Sequence, residues 1–188
     1  MPLTINFSPF PILETTRLTL RQFDRNDADA LFKMRSNPET MRFVPRPIMQ
    51  SIDEAREHID MIENKIRNNE GINWAITLRN VHDCIGIIGH YKLMPEHFRS
   101  EIGYLMLPEF RGKGIMSEAI AAVVDYGFNQ LKLHSVEAII DPENHASATV
   151  LERNNFIREA HLKENQFYEG KFIDTVIYSR LNPVSVKS

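Results

Sequence analysis

The sequence predicts an α/β chain of the α+β kind, with one mixed, mostly antiparallel central sheet flanked by helices. The first observation is period: short runs alternate apolar and polar residues as strands do, and longer runs repeat apolar residues at helical spacing. The second is order. Strand, helix, helix, three strands, helix, strand, helix and two strands follow one another, and strands met in succession pair antiparallel. The third is a strand–helix–strand unit from Ser100 to Ile140, which makes a parallel crossover of right-handed sense. No repeat, low-complexity tract or linker interrupts this order, so residues 1–188 are expected to form a single domain, with 1–16 as an extended arm.

The arm, MPLTINFSPFPIL at its start, holds three prolines and packs either on the domain or on a partner subunit. Arg17 to Phe23 places Leu18 and Leu20 on one face of a strand. Asp24 offers an N-cap oxygen, and Ala28, Leu31, Phe32 and Met34 follow at helical spacing until Pro38. Pro45 and Pro47 make Met41 to Ile48 a loop. Ser51-x-x-Glu54 has capping-box spacing, and Ile52, Ala55, Ile59, Ile62 and Ile66 mark the buried face of a second helix, which Asn68-Asn69 and Gly71 stop.

Ile72 to Leu78 and Cys84 to Leu93 are strands joined by the polar turn Asn80 to Asp83, hence an antiparallel hairpin. Ser100 to Leu107 is the next strand. Met116 to Leu131 is a helix whose Met116, Ile120, Val123, Val124, Gly127 and Leu131 form one stripe. Ser135 to Ile140 is a strand with a continuous apolar centre, and Asn144 to Asn155 a short helix. Ile157 to Leu162 and Phe172 to Leu181 are late strands, joined by a polar loop from Glu164 to Lys171.

Composition narrows the function classes. With Lys+Arg 22 against Asp+Glu 25 and a net charge of -3, no global basic field points to nucleic acid. No run approaches the roughly 18 apolar residues of a membrane span. No basic region followed by an apolar one opens the chain, so neither a signal peptide nor a membrane partner is expected. The single cysteine, Cys84, excludes an internal disulfide, fits a reducing cytoplasm and reads as a small buried hydrophobe.

The richest stretch is the turn Arg111-Gly112-Lys113-Gly114, between the strand ending at Leu107 and the helix beginning near Met116. Free N–H groups and the positive dipole end at a helix start favour an anion such as pyrophosphate. Glycines let the backbone approach it, and Arg111 and Lys113 add positive charge. A P-loop fails here, because Leu107 stands where its first glycine belongs and Gly114 where it needs Ser or Thr. A dinucleotide fingerprint fails at Ser117, and a tight turn without a ligand is the plain alternative.

Arg111-x-x-Gly114-x-Met116 resembles the acetyl-CoA signature of the GNAT N-acetyltransferases, although Met116 stands at a normally small position. Glu101-Ile102-Gly103-Tyr104, Ser117-Glu118-Ala119, Asn144-x-x-Ser147 and Leu151-Glu152-Arg153-x-x-Phe156 are similar to the RimJ/RimL branch, which acetylates ribosomal-protein N-termini. Gly170, Asp174 and Tyr178 suit that branch, and Asn155 departs from it where glycine is usual. The likeness spans about Arg17 to Leu181.

The resemblance implies the GNAT fold, acetyl-CoA as cosubstrate, and a strand Tyr104 to Leu107 splayed from Val136 to Ile140. It implies that pantetheine lies along Leu105, Met106 and Leu107, where a backbone N–H of Leu105 or Met106 polarises the acetyl carbonyl. Pyrophosphate would then rest on Arg111, Gly112, Lys113, Gly114, Ile115 and Met116. Asn144 would contact the pantetheine amide and Ser147 the departing sulfur, unless these residues only cap the next helix. Glu101 is the first candidate for general base and His90 its rival, with weaker cases at His134 and His145. The substrate groove would be built by the first two helices and the loops Arg42–Gln50 and Glu164–Lys171.

No metal-binding spacing is present, nor a Gly-x-Ser-x-Gly elbow, and Cys84 is the only thiol. Direct transfer in a ternary complex is therefore expected, without a metal. The acceptor is a primary amine: first a protein N-terminal α-amine, then a small molecule such as a polyamine, amino acid or antibiotic. A non-catalytic acetyl-CoA-binding module is the other class. The late strands and the arm offer surfaces for a homodimer.

Overall fold

Eight strands form one sheet in the computed structural model, which describes residues 3–183. The first two residues of the expected arm and the last five of the expected domain lie outside them. The strands are β1 (Leu13–Glu14), β2 (Leu18–Arg21), β3 (Ile72–Leu78), β4 (Cys84–Met94), β5 (Arg99–Met106), β6 (Ser135–Ile140), β7 (Ile157–Tyr168) and β8 (Lys171–Leu181). Their spatial order is β1-β2-β3-β4-β5-β6-β8-β7, and every neighbouring pair is antiparallel except β5 and β6. That exception follows from the helix α4 (Ile115–Asn129), which carries the chain back before β6 begins.

The other helices are α1 (Ala28–Ser36), α2 (Pro38–Met41), α3 (Ile52–Arg67) and α5 (His145–Arg153). Asp24 does cap, but it caps a 3-10 turn that leads into α1: its side chain accepts from Asn26 N at 2.7 Å while Asp27 accepts from Asp24 N at 2.8 Å. Asp27 is buried and paired with both Nη atoms of Arg21 at 2.8 Å, the fork geometry that makes such a burial tolerable. At α3, Ser51 Oγ accepts from Glu54 N at 3.3 Å, and the Glu54 carboxylate returns to the N–H of Gln50, one residue before the cap.

The arm packs on the domain: Leu13 and Glu14 pair with Leu20 and Thr19, Phe7 is buried, and Pro11 O accepts from Trp74 Nε1 at 2.7 Å. Two expectations are corrected. The stretch read as a loop from Met41 begins at Arg42, because Pro38 is well placed at the start of a short helix that runs to Met41 and is capped by Asn37. The polar loop Glu164–Lys171 is mostly strand. β7 continues to Tyr168 and the reversal uses only Glu169 and Gly170, with Phe167 and Phe172 facing each other 5.0 Å apart. As an edge strand exposed along most of its length, β7 has no buried face to impose alternation, so its pattern does not read as a strand.

Asn155, where glycine was expected, sits at φ 60°. Asparagine reaches this left-handed conformation more readily than most residues, and so closes the turn after α5. The core lies between the sheet and its helices. Trp74 at its centre stacks edge-on to Phe10, Tyr126 and His90.

Candidate active site

β5 and β6 are joined by three residue pairs only, Arg99 with Ser135, Ser100 with Val136 and Glu101 with Glu137. β5 then continues to Met106 and β6 to Ile140 without pairing. The two strands part beyond Glu101, leaving facing backbone edges across a wedge-shaped gap. Backbone groups alternate along a strand. Leu107 N donates to Ile85 O of β4 at 3.0 Å, whereas Phe98 O accepts from His134 N at 2.7 Å on the β6 side. Odd positions of β5 therefore face β4, and Ile102, Tyr104 and Met106 face the gap. Of the two N–H candidates, Met106 looks into the gap and Leu105 into the sheet.

The turn beneath the gap has the conformation its glycines allow. Gly112 and Gly114 lie at φ 72° and 73°, where a side chain costs about 1–2 kcal/mol. Gly114 is the N-cap of α4 and supplies no side chain to the helix, so no side chain caps its first N–H groups. Glu118, the acid of that first turn, is drawn away by Thr15 and Arg17. Arg17 Nη1 also donates to Lys113 O at 2.9 Å, which holds the turn in place. Arg111 turns back to Thr40 Oγ1 at 2.7 Å and Met106 O at 3.3 Å, so it ties the turn to α2 and β5. Met116 is partly buried and packs against the core. A phosphate fits this uncapped helix start.

Glu101 is buried at 6% exposure, and Tyr91 Oη donates to its Oε1. Burial raises the Glu101 carboxyl above the ordinary glutamate value, against the opposing pull of Tyr91, Lys92 and Arg46. Burial and the adjacent Glu101 raise Tyr91 in turn. Next to Glu101 on β5, Ser100 Oγ lies 2.7 Å from His90 Nδ1, and His90 Nε2 lies 3.0 Å from Val123 O of α4. Successive side chains point to opposite faces, so Glu101 with Tyr91 and His90 with Ser100 occupy opposite sides of the sheet. His90 is fully buried with both ring nitrogens engaged, and burial lowers its pKa to about 4. The two candidate bases are not brought together.

On the His90 face, further along β5, Tyr104 is half-buried, and its hydroxyl is shut off from solvent and makes no formed hydrogen bond. Burial pushes its phenol up to about 12, and Ser147 of α5 pulls the other way, so these hydroxyls are near neighbours. Asn144 does cap α5, accepting from Ser147 N at 3.1 Å, which leaves the Ser147 hydroxyl free of the cap. Asn154 Nδ2 donates to Ser117 Oγ at 3.0 Å, fastening α5 to α4. His134 and His145 are exposed. Sequence reasoning missed Tyr91 and Tyr104 as site residues. Tyr104 stood inside the quoted motif, and Tyr91 had no signal beyond its place beside His90.

Among the described residues no group of three or more His, Cys, Asp or Glu is placed to hold a metal ion, and no helix is long and apolar enough to cross a membrane.

Residues 17–157 match the family model for the Acetyltransferase (GNAT) domain. The chain is 38% identical over 174 residues to the Uncharacterized N-acetyltransferase YoaA of Bacillus subtilis (strain 168), covering 93% of this chain and 98% of that one. It is 26% identical to a Spermidine N(1)-acetyltransferase of Vibrio cholerae serotype O1, over 85% of this chain and 90% of the relative. The RimL ribosomal L7/L12 alpha-N-protein acetyltransferase, solved in complex with coenzyme A, superposes with a TM-score of 0.81 at 23% identity, over 91% of this chain and 98% of RimL. With the splayed strands and the uncapped glycine turn, these matches make the chain a member of the GNAT acetyltransferase family, an N-acetyltransferase that transfers acetyl to an amine.

Proposed function

We propose that this chain transfers acetyl directly from acetyl-CoA to the α-amine of a protein N-terminus. The observation that carries the reading is the gap between β5 and β6, which opens beside Glu101 on one face of the sheet and beside Tyr104 and Ser147 on the other. Acetyl-CoA supplies a thioester, whose carbonyl accepts the nucleophile and whose sulfur leaves. The Gly112–Gly114 turn and the first N–H groups of α4 hold its pyrophosphate, and the free edge of β5 from Tyr104 to Leu107 aligns the pantetheine. Asn144, with its oxygen spent on the cap, keeps an amide N–H pair for the same arm.

Glu101 takes the proton from the incoming ammonium, because a carboxylate whose pKa is raised by burial is a stronger base than a solvated one. Tyr91 fixes the orientation of that carboxylate. The Met106 N–H donates to the acetyl oxygen as charge grows there. Ser147, backed by Tyr104, donates to the departing sulfur. A thiol of pKa about 8.5 leaves readily, so this last contribution is modest. His90 stays neutral and supports β5 from behind.

The residues around Glu101, Asn144 and Ser147 resemble the RimJ/RimL branch, and the fold is shared with RimL, which supports a protein N-terminus as acceptor. The spermidine acetyltransferase relative supports a second reading, a small-molecule amine. Thiol release from acetyl-CoA, measured with a panel of peptides, polyamines and amino acids, tests both. Release with free peptide N-termini is expected. Tight acetyl-CoA binding without release for any amine would make the chain a binding module.

A further inference from the structure

Two arginines on the acceptor side of the gap have no anionic partner. Arg35 lies in the last turn of α1, and its Nε is shut off from solvent without a hydrogen bond. Among the described residues, no hydrogen bond or ion pair engages any part of its side chain. Arg21, the other guanidinium with a buried free Nε, differs: both its Nη atoms are bonded to Asp27. A guanidinium with one nitrogen shut off from water and its others unpaired is open to a hydrogen-bond acceptor.

The loop after α2 folds back onto this arginine, since Met49 N donates to Arg35 O at 3.1 Å. That loop carries Arg46, whose charge acts on Arg35, Tyr91 and Glu101 alike, so it is near both the half-buried Arg35 and the candidate base. Arg46 also forms no ion pair among the described residues. His58 of α3 stands beside Arg35, and burial, with Arg35 and Lys65, lowers its pKa to about 4, so it is neutral at pH 7. The charges that act on Arg35 and His58 are all positive.

We propose that Arg35 and Arg46 form an anion-binding position beside the acceptor amine, so that the acceptor is an N-terminus followed closely by an acidic residue. This deepens the reading of Glu101 as the acceptor-side base and rests on it. A carboxylate bridging the two guanidinium groups satisfies both and draws the α-ammonium toward Glu101. The same positive field favours the neutral amine that must attack. A polyamine brings a second and third positive charge into this field and is repelled by it.

The test uses three peptides, Ala-Asp-Gly-Gly, Ala-Asn-Gly-Gly and Ala-Lys-Gly-Gly, with spermidine and free glutamate as further acceptors. Binding is read by calorimetry in the presence of CoA, and turnover by thiol release. The Asp peptide is expected to exceed the Asn peptide by roughly tenfold in affinity and in kcat/KM, with the Lys peptide weaker still. Arg35→Met and Arg46→Gln should each shrink this discrimination; Arg46 is exposed, so its variant answers if Arg35→Met folds poorly. Equal use of the three peptides, or spermidine used as well as the Asp peptide, overturns the anion position while leaving the acetyltransferase reading intact. Glutamate used in preference to the Asp peptide overturns the N-terminal source of the carboxylate. An Asp preference in binding without any turnover keeps the anion position and removes the acceptor reading instead.

Discussion

Arg17 Nε donates to Glu118 Oε2 across 2.6 Å, and this contact decides what the start of α4 can hold. A glutamate in a helix's first turn ordinarily occupies the dipole end itself. Here burial alone would raise the Glu118 pKa, but hydrogen bonds from Thr15 and Arg17 outweigh it and hold the carboxyl below the usual range, charged and turned aside. Arg17→Ala frees that carboxylate beside the proposed phosphate position and releases Lys113 O. We expect the KM for acetyl-CoA to rise roughly three- to tenfold with a smaller change in kcat, and Arg17→Lys to recover part of it. The Glu118 contribution to stability is present above its unfolded pKa and lost as pH falls through the lowered folded value, so the Arg17→Ala deficit in thermal stability should fade in acid.

Gly114→Val tests the cradle. The position lies at φ 73°, where a β-branched residue is a conformational outlier costing about 1–2 kcal/mol or more, and the side chain enters the space before the first N–H groups. Acetyl-CoA affinity, measured by calorimetry, should be lost. Unchanged affinity would remove the turn from the cofactor site.

Glu101→Gln should lower turnover at neutral pH and leave acetyl-CoA affinity in place, because the proposed role of the carboxylate is toward the acceptor amine, apart from the Gly112–Gly114 turn. With its pKa raised, the acid limb of kcat/KM in the wild type should lie above the ordinary glutamate value near 4.5. The stability effect has the opposite sign. A raised folded pKa means the folded state binds the proton more tightly, so stability falls as pH rises through that value. Glu101→Gln should therefore melt no lower than wild type at pH 7, and any advantage should vanish once both states are protonated in acid. A variant that keeps full turnover would return the base role to His90 or to a water chain.

Gly127→Ala separates His90 as support from His90 as base. A Cβ at this position comes within 2.9 Å of His90 Cε1, against a fully buried ring. Overpacking costs about 1–3 kcal/mol, partly offset by about 1 kcal/mol of helix propensity. The melting temperature should drop while kcat per folded molecule holds. Because His90 is lowered to about 4, its neutral form stabilises the fold fully above pH 6.5, and this contribution is lost as pH falls toward 4. A substantial kcat change at an unaltered melting temperature would contradict the supporting role.

Elements with local punctuation were legible in the sequence. Ile72–Leu78 and Ser135–Ile140 match to the residue, since Gly71 precedes one and Asp141-Pro142 follows the other. The ends of α3 follow from Ser51 and the Asn68-Asn69 pair, and the glycine turn from Gly112 and Gly114, because caps and left-handed positions depend on neighbours in the chain. β7 beyond Leu162 was not legible: an edge strand exposed along most of its length imposes no burial period. Nor were the neighbours around the candidate site. Tyr91 bonds Glu101, Ser147 lies near Tyr104, and the charge of Arg46 acts on Arg35, each pair coming from separate elements or loops. The sequence by itself determined the order of the longer elements, the family and the open helix start, but not the two-residue β1 or the short helix Pro38–Met41. Only the tertiary structure decided which carboxyl is withdrawn from water, which N–H faces the gap and which guanidinium is left without an anion, because burial and charge pairing depend on groups that the chain brings together only when it folds.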